Sequence, residues 1–211
     1  MRFRPKVAAM TQGKGGTGKS TVSANVGVAA LAVGLNVALI DGDPQGSLLT
    51  WQEARHAVRP YVIAKVGRDL PNWLANEGAA FDLVIVDTPA HDMKTLAEAA
   101  SIADLSIIVT QPTRLAIAVA VHVRHAFIAS RIDYAILLSQ APPRLNARLA
   151  EWLAIHRELG TVVDTQLAYR VAFQDSIPLG LGVIEYEPEG RAAEEVRGVT
   201  DWILNRLEMT R

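Results

Sequence analysis

Eight consecutive residues limit this chain more than any other stretch: Gly13-Lys14-Gly15-Gly16-Thr17-Gly18-Lys19-Ser20. They satisfy G-x-x-x-x-G-K-[ST] between an apolar run at Val7–Thr11, predicted as a strand, and a stretch of helical period from residue 19. That flanking context is the one the motif requires. The glycines let the backbone curl so that successive N–H groups face phosphate oxygens, and the helix N-terminus behind them adds partial positive charge. The expected nucleotide contacts are therefore Gly13, Lys14, Gly15, Gly16, Thr17, Gly18, Lys19, Ser20 and Thr21. Lys19 is expected to reach the β and γ phosphates and Ser20 to ligate Mg²⁺. The same stretch also reads G-x-G-x-x-G at Gly13, Gly15 and Gly18, with Asp41 following 23 residues after Gly18, as in a dinucleotide-binding fold. Lys19-Ser20 directly after the third glycine, and a second strand-ending acid at Asp87, decide against that competitor because hydride transfer uses neither.

Short apolar runs alternate with longer helical stretches, the pattern of a mostly parallel, twisted sheet with helices on both faces. Strands are predicted at Val7–Thr11, Val37–Asp41, Tyr61–Val66, Leu83–Asp87, Leu105–Thr110 and Tyr134–Leu138, with a further one at Thr161–Val163. Helices are predicted at about 19–33, 46–57, 69–77, 92–102, 113–130, 143–158 and 190–208. With 211 residues, half of them hydrophobic, the whole of 1–211 reads as a single α/β domain of the P-loop NTPase class. The absence of cysteine excludes disulfides, thiolate zinc, iron–sulfur clusters and a cysteine nucleophile, and fits a cytoplasmic protein. No window is apolar for long enough to span a membrane.

Two acidic sites complete the chemistry. Phe81 through Pro89, FDLVIVDTP, is an apolar strand ending in Asp87, the layout of an acid that holds magnesium beside a phosphate loop. Asp41-Gly42-Asp43-Pro44-Gln45-Gly46-Ser47 follows the second strand. Of its two acids, Asp43 is expected to orient the attacking water, with Asp41 one layer out from the magnesium. Turn chemistry also favours Asp, Gly and Pro here, so this segment is the weaker signal of the two.

Lys14 is a second lysine inside a loop that already has Lys19. With it, GKGGTGKST, DGDPQGS and VIVDTP resemble the ParA/MinD family of deviant Walker A ATPases, in order from Lys6 to about Pro112 and more loosely beyond. The resemblance implies that Lys14 reaches across a nucleotide-sandwich homodimer to the partner's phosphates, as an arginine finger supplied in trans would. It implies catalytic roles for Lys14, Lys19 and Asp43, and Mg²⁺ held through Ser20, Asp41 and Asp87. Ala90 departs from the pattern, since many relatives carry a second proline there. The missing cysteines set aside the iron–sulfur branches, and five residues before the first strand leave no space for the helix-turn-helix domain of larger members. The layout is most similar to short ParA/ParF-type partition ATPases. A guanine-selecting N-K-x-D is absent after Leu138, where Ser139-Gln140-Ala141-Pro142 stands, so ATP is the expected nucleotide. By resemblance, adenine lies near Gln140, Pro142 and the loop around Ser176–Pro178.

The implied activity is slow hydrolysis of ATP to ADP and phosphate, stimulated by a ParB-like or other adaptor protein, in a switch that partitions plasmid or chromosomal DNA at the nucleoid. The alternatives are positioning of another cargo, such as a chemoreceptor cluster or carboxysome, a MinD-like membrane ATPase, and a synthetase of the dethiobiotin type. The C-terminal stretch Val196–Arg211 carries Asp201 and Glu208 along with its apolar residues and reads as a packed helix, so a membrane is not among the expected partners. The chain's net charge of −1 excludes a uniformly basic surface, so contact with non-specific DNA must be local. From Gln111 to Arg148 five arginines face Asp133 alone, a local excess of +4. Arg124, Arg144, Arg148 and, outside that segment, Arg170 are the candidate DNA contacts. His122 and His125 have no third ligand and read as surface residues.

Overall fold

A computed structural model describes residues 4–64, 69–90, 92–144 and 146–209. Six strands, β1 (Lys6–Thr11), β2 (Val37–Asp41), β3 (Tyr61–Ala64), β4 (Leu83–Asp87), β5 (Leu105–Thr110) and β6 (Tyr134–Leu138), form one sheet in the order β3-β2-β4-β1-β5-β6, every pair parallel. Residues of β2, β4 and β5 are buried throughout because helices cover both faces, which is why these strands read as continuous apolar runs.

Alternation along each strand divides the core. Ala8, Met10, Leu39, Ile85 and Ile107 point to one face, where α1 (Lys19–Ala32) and α9 (Arg191–Arg206) pack. Val7, Ala9, Ile40, Val84 and Val86 point to the other, against α3 (Asp69–Asn76) and Ala99 of α4 (Met93–Ile102). On that side α5 (Arg114–Ala129) and α6 (Ala147–Leu159) close over β5 and β6, around Phe127, Ile136 and Leu153. The approach of α1 to the sheet is close: a Cβ at Gly27 would stand 2.6 Å from Leu39 Cδ2, so only glycine fits.

The chain order jumps from β1 to β2 on one side and from β4, through β1's other flank, to β5. The C-terminal ends of β1 and β4 thus meet at the reversal of strand order, the place where parallel α/β sheets bind ligands. The expected strand at Thr161–Val163 is a correction: it contributes an isolated parallel bridge, Ile136 to Val162. The chain runs beside β6 and meets it again at Ala141–Ala168, but Asp164, Thr165 and Gln166 interrupt the ladder between. The helix expected from 46 to 57 is α2 (Ser47–Ala54), ending where Arg55 turns extended. The one expected from 143 begins at Ala147, because Pro142 and Pro143 precede it and the Asn146 side chain caps Leu149 N–H at 2.8 Å. Short helices α7 (Val171–Ser176) and α8 (Val183–Tyr186) were not foreseen. Of the third expected strand, Lys65 and Val66 lie outside the described residues.

Candidate functional site

The phosphate loop leaves β1 and enters α1 through Gly18, whose φ of +92° gives the left-handed turn that aims the first helical N–H groups outward. In front of it lies a cavity of about 750 Å³, bounded by Gly15 to Thr21 on one side and by Asp43, Pro44 and Trp51 on the other. Lys19 is only 7% exposed; burial lowers its pKa, while Asp87 and Asp43 pull it back up. Asp87 is fully buried, and burial pushes its pKa up to about 7 against the hydrogen bond from Ser20 and the charge of Lys19. The Ser20 hydroxyl donates to Asp87 Oδ2 at 2.5 Å.

That arrangement fits a magnesium–nucleotide complex. A hard cation wants the oxygen set of Ser20 and Asp87, and would add to the positive charge that Lys19 already places near the buried Asp87. Phosphate oxygens would in turn add to the negative charge around buried Lys19. The buried Thr17 hydroxyl, without a hydrogen-bond partner among the described residues, adds a polar atom to the same loop. ATP and Mg²⁺, the cofactors expected from the motif, fit the residues present.

The two acids after β2 have different work. Asp41 and Asp87 are direct neighbours in the sheet register, yet Asp41 turns its carboxylate away into the backbone. Its Oδ2 accepts from Leu48 N–H at 2.9 Å and Leu49 N–H at 3.1 Å, and its Oδ1 from Asp43 N–H at 3.2 Å. Asp41 thus anchors α2 and the Asp43 turn while standing beside Asp87. Asp43 lines the cavity, half-buried, with Oδ1 accepting from Gln45 N–H at 2.9 Å.

A second cavity of about 420 Å³ adjoins the first through Gly18, Thr21 and Ile177. Gln140, Phe173 and Pro178 line it, residues of the region expected from the sequence to hold adenine. Pro142 does not line this cavity; Ala168 and Tyr169, which run beside Ala141, form that wall.

The four candidate arginines have different surroundings. Arg124 Nε donates to the Leu159 carbonyl at 2.7 Å and helps finish α6. Arg170 is paired with Glu195 at 2.5 Å. Arg144 and Arg148 are exposed and, among the described residues, free of ion pairs. They border different grooves, Arg144 beside Arg191 and Arg148 beside Arg114.

Two features were missed from sequence. Trp51 walls the phosphate cavity and donates to the Leu181 carbonyl at 3.3 Å. Arg55, beneath it, is bidentate to Glu185 at 2.7 and 2.8 Å. Partial burial opposes ionisation of Glu185, but the Arg55 and Gly182 hydrogen bonds outweigh it and hold its pKa below the usual value. These contacts tie α2 to the α7–α8 segment. A buried indole and guanidinium have no sequence signature.

The comparisons with known proteins bear on this geometry. The model of the CobQ/CobB/MinD/ParA nucleotide binding domain matches residues 8–201. The chain belongs to this family. It is 33% identical over 201 residues to the maintenance of carboxysome distribution protein A of Gloeobacter kilaueensis, covering 94% of this chain and 85% of that one. The fold is shared with the septum site-determining protein MinD of Pyrococcus horikoshii complexed with Mg-ADP (TM-score 0.73, 17% identity, 94% of this chain and 96% of that). It is shared equally with a plasmid partition protein of Borrelia burgdorferi bound to AMPPNP (TM-score 0.76, 14% identity, 96% and 99%). The expected α/β P-loop fold and the ParA/MinD resemblance hold. Among the described residues no helix is long and apolar enough to cross a membrane. Within α9, Val196, Val199 and Ile203 are buried in the core facing α1 rather than offered to solvent.

Proposed function

We propose that this protein is a slow ATPase that dimerises around ATP and uses that switch to position a large cargo over the nucleoid. The observation that carries the reading is the convergence of Lys19, Asp43 and Asp87 at one phosphate loop that also carries a second lysine, Lys14. Lys19 and the loop N–H groups bind the β and γ phosphates. Ser20 and Asp87 hold Mg²⁺, which when bound polarises the phosphoryl oxygens. Asp43 orients water for attack in line with the leaving ADP oxygen, and the partner protomer's copy of Lys14 stabilises charge on the transferring group.

The cargo reading shifts from the sequence expectation. Partition of plasmid or chromosomal DNA led there, and positioning of another cargo was the alternative. The 33% identity to a carboxysome distribution protein supports the alternative more strongly, since the plasmid partition likeness is one of fold at 14% identity. A protein-shelled compartment or comparable assembly is therefore the proposed cargo, with an adaptor protein on its surface stimulating hydrolysis and the protein located in the nucleoid region of the cytoplasm.

Such a switch needs a track, and ATP-dependent, sequence-independent binding to duplex DNA is expected through Arg144 and Arg148. The test is DNA retention against salt with ATP present. Log K is expected to fall with log salt at about −0.9 per phosphate contacted, equally on scrambled sequences. Replacing both arginines should flatten the slope by about two units per protomer while turnover without DNA persists. No DNA binding with ATP, or turnover that depends on an added carboxylate substrate, contradicts the reading and favours a synthetase.

A further inference from the structure

Lys14 does not point into solvent. Its ammonium donates to Gln111 Oε1 at 3.0 Å, within its own chain. Gln111 directly follows β5 and is not among the residues lining the phosphate cavity. Its amide nitrogen is committed twice, to the Gly16 carbonyl at 3.1 Å and to Gln140 Oε1 at 2.7 Å. Gln140, held at φ +54°, donates from Nε2 to the same Gly16 carbonyl at 2.9 Å. These contacts fix the orientation of the Gln111 amide. Turned over, it would aim N–H groups at an ammonium and an oxygen at a carbonyl. Its oxygen is thereby presented to Lys14. Among the described residues Lys14 makes no ion pair, so this single neutral acceptor is what the charge is held by.

We propose that Gln111 is a positioning residue for Lys14: its side-chain oxygen retains the lysine on its own protomer until a nucleotide-bearing partner offers a stronger anion. The proposal rests on the reading of Lys14 as acting in trans. A carboxylate at 111 would form an ion pair that competes with the partner's phosphates, whereas a neutral amide orients the lysine and lets it go. Because the lysine is half-buried and the hydrogen bond charge-assisted but partly wet, release is expected to cost a factor of about three for each lysine. A dimer needs both lysines free, so the cost to its association constant is about tenfold.

Two measurements on the full chain test this. Lys14 acylation by a water-soluble active ester, read by peptide mass spectrometry in the nucleotide-free protein, should rise about threefold in Gln111→Met and fall in Gln111→Glu. Sedimentation equilibrium with ATP and Mg²⁺ should show a dimer about tenfold tighter in Gln111→Met and weaker in Gln111→Glu. The direction is diagnostic, because a residue that merely supported the loop would weaken the dimer when replaced by Met. Gly16 keeps its bond from Gln140 in that variant, and ADP affinity measured alongside reports whether the loop is intact. Lys14 labelling that ignores position 111, or a Gln111→Met dimer no tighter than the parent, overturns the proposal. Labelling that responds in a parent protein that never dimerises would sustain retention by Gln111 and overturn the dimer reading alone.

Discussion

At the scale of single residues, two aspartates two positions apart meet different surroundings. Asp43 borders the cavity and spends one oxygen on a turn, so its removal leaves the binding groups in place. Asp43→Ala is expected to bind ATP and dimerise as the parent does, with hydrolysis falling by about 10² or more if it positions the water. Single-turnover decay of ATP in the isolated dimer reads this directly, and hydrolysis at the parent rate would assign the water to another residue. Asp41 is the contrasting case. The sequence made both acids visible but could not separate them, because spacing gives two carboxylates after a strand and only the fold shows which one meets the Leu48 and Leu49 N–H groups. Gln111 was hidden for the same reason: its role depends on where Gly16 and Gln140 come to lie.

At the scale of elements, α2 begins at a glycine with no side-chain cap of its own, so the remote carboxylate of Asp41 takes over that task. Asp41→Ala is expected to lower stability by about 1–2 kcal/mol, the range of a lost helix cap, and Asp41→Asn to recover most of it. Urea unfolding midpoints check both, and a neutral Ala variant would show the cap to be idle. In α6, His156 is fully buried, with Nδ1 on the Trp152 carbonyl at 2.6 Å and Nε2 without a partner among the described residues. Burial lowers its pKa and outweighs the Trp152 carbonyl, which raises it. The unfolded chain therefore takes up this proton more readily than the folded one. The contribution to stability is complete above the unfolded value near pH 6.5 and is lost as pH falls through the lower folded one, at up to about 1.4 kcal/mol per pH unit. Unfolding between pH 7.5 and 5.5 should show this fall in the parent, and His156→Leu should flatten it. An unchanged slope in the variant would assign the loss to other groups. Neither effect was legible in the sequence, where His156 is one polar residue on a helix. The long helices were legible because their apolar period persists for several turns. Helices α7 and α8 were not, because six residues and four residues hold no measurable period.

At the scale of the molecule, the fold could be read early because a parallel sheet buried on both faces writes its central strands as unbroken apolar runs, two of which, β2 and β4, end in neighbouring aspartates. The phosphate loop was legible for a different reason: its chemistry requires a fixed glycine and lysine spacing. Charge was less legible: within Gln111–Arg148 the fold turns Arg124 to a helix carbonyl while Arg144 and Arg148 stay exposed. What joins the parts is the second lysine, since a P-loop enzyme working alone has its phosphate cation in Lys19 and needs no Lys14. The most direct measurement is therefore light scattering of the protein with Mg²⁺ and either ATP or ADP, with Lys14→Ala beside the parent. The account predicts a dimer with ATP only, because the γ-phosphate is what Lys14 reaches, and a variant that binds nucleotide yet stays monomeric. Equal dimer with ADP and ATP, or ATP-driven dimerisation that survives Lys14→Ala, would contradict it.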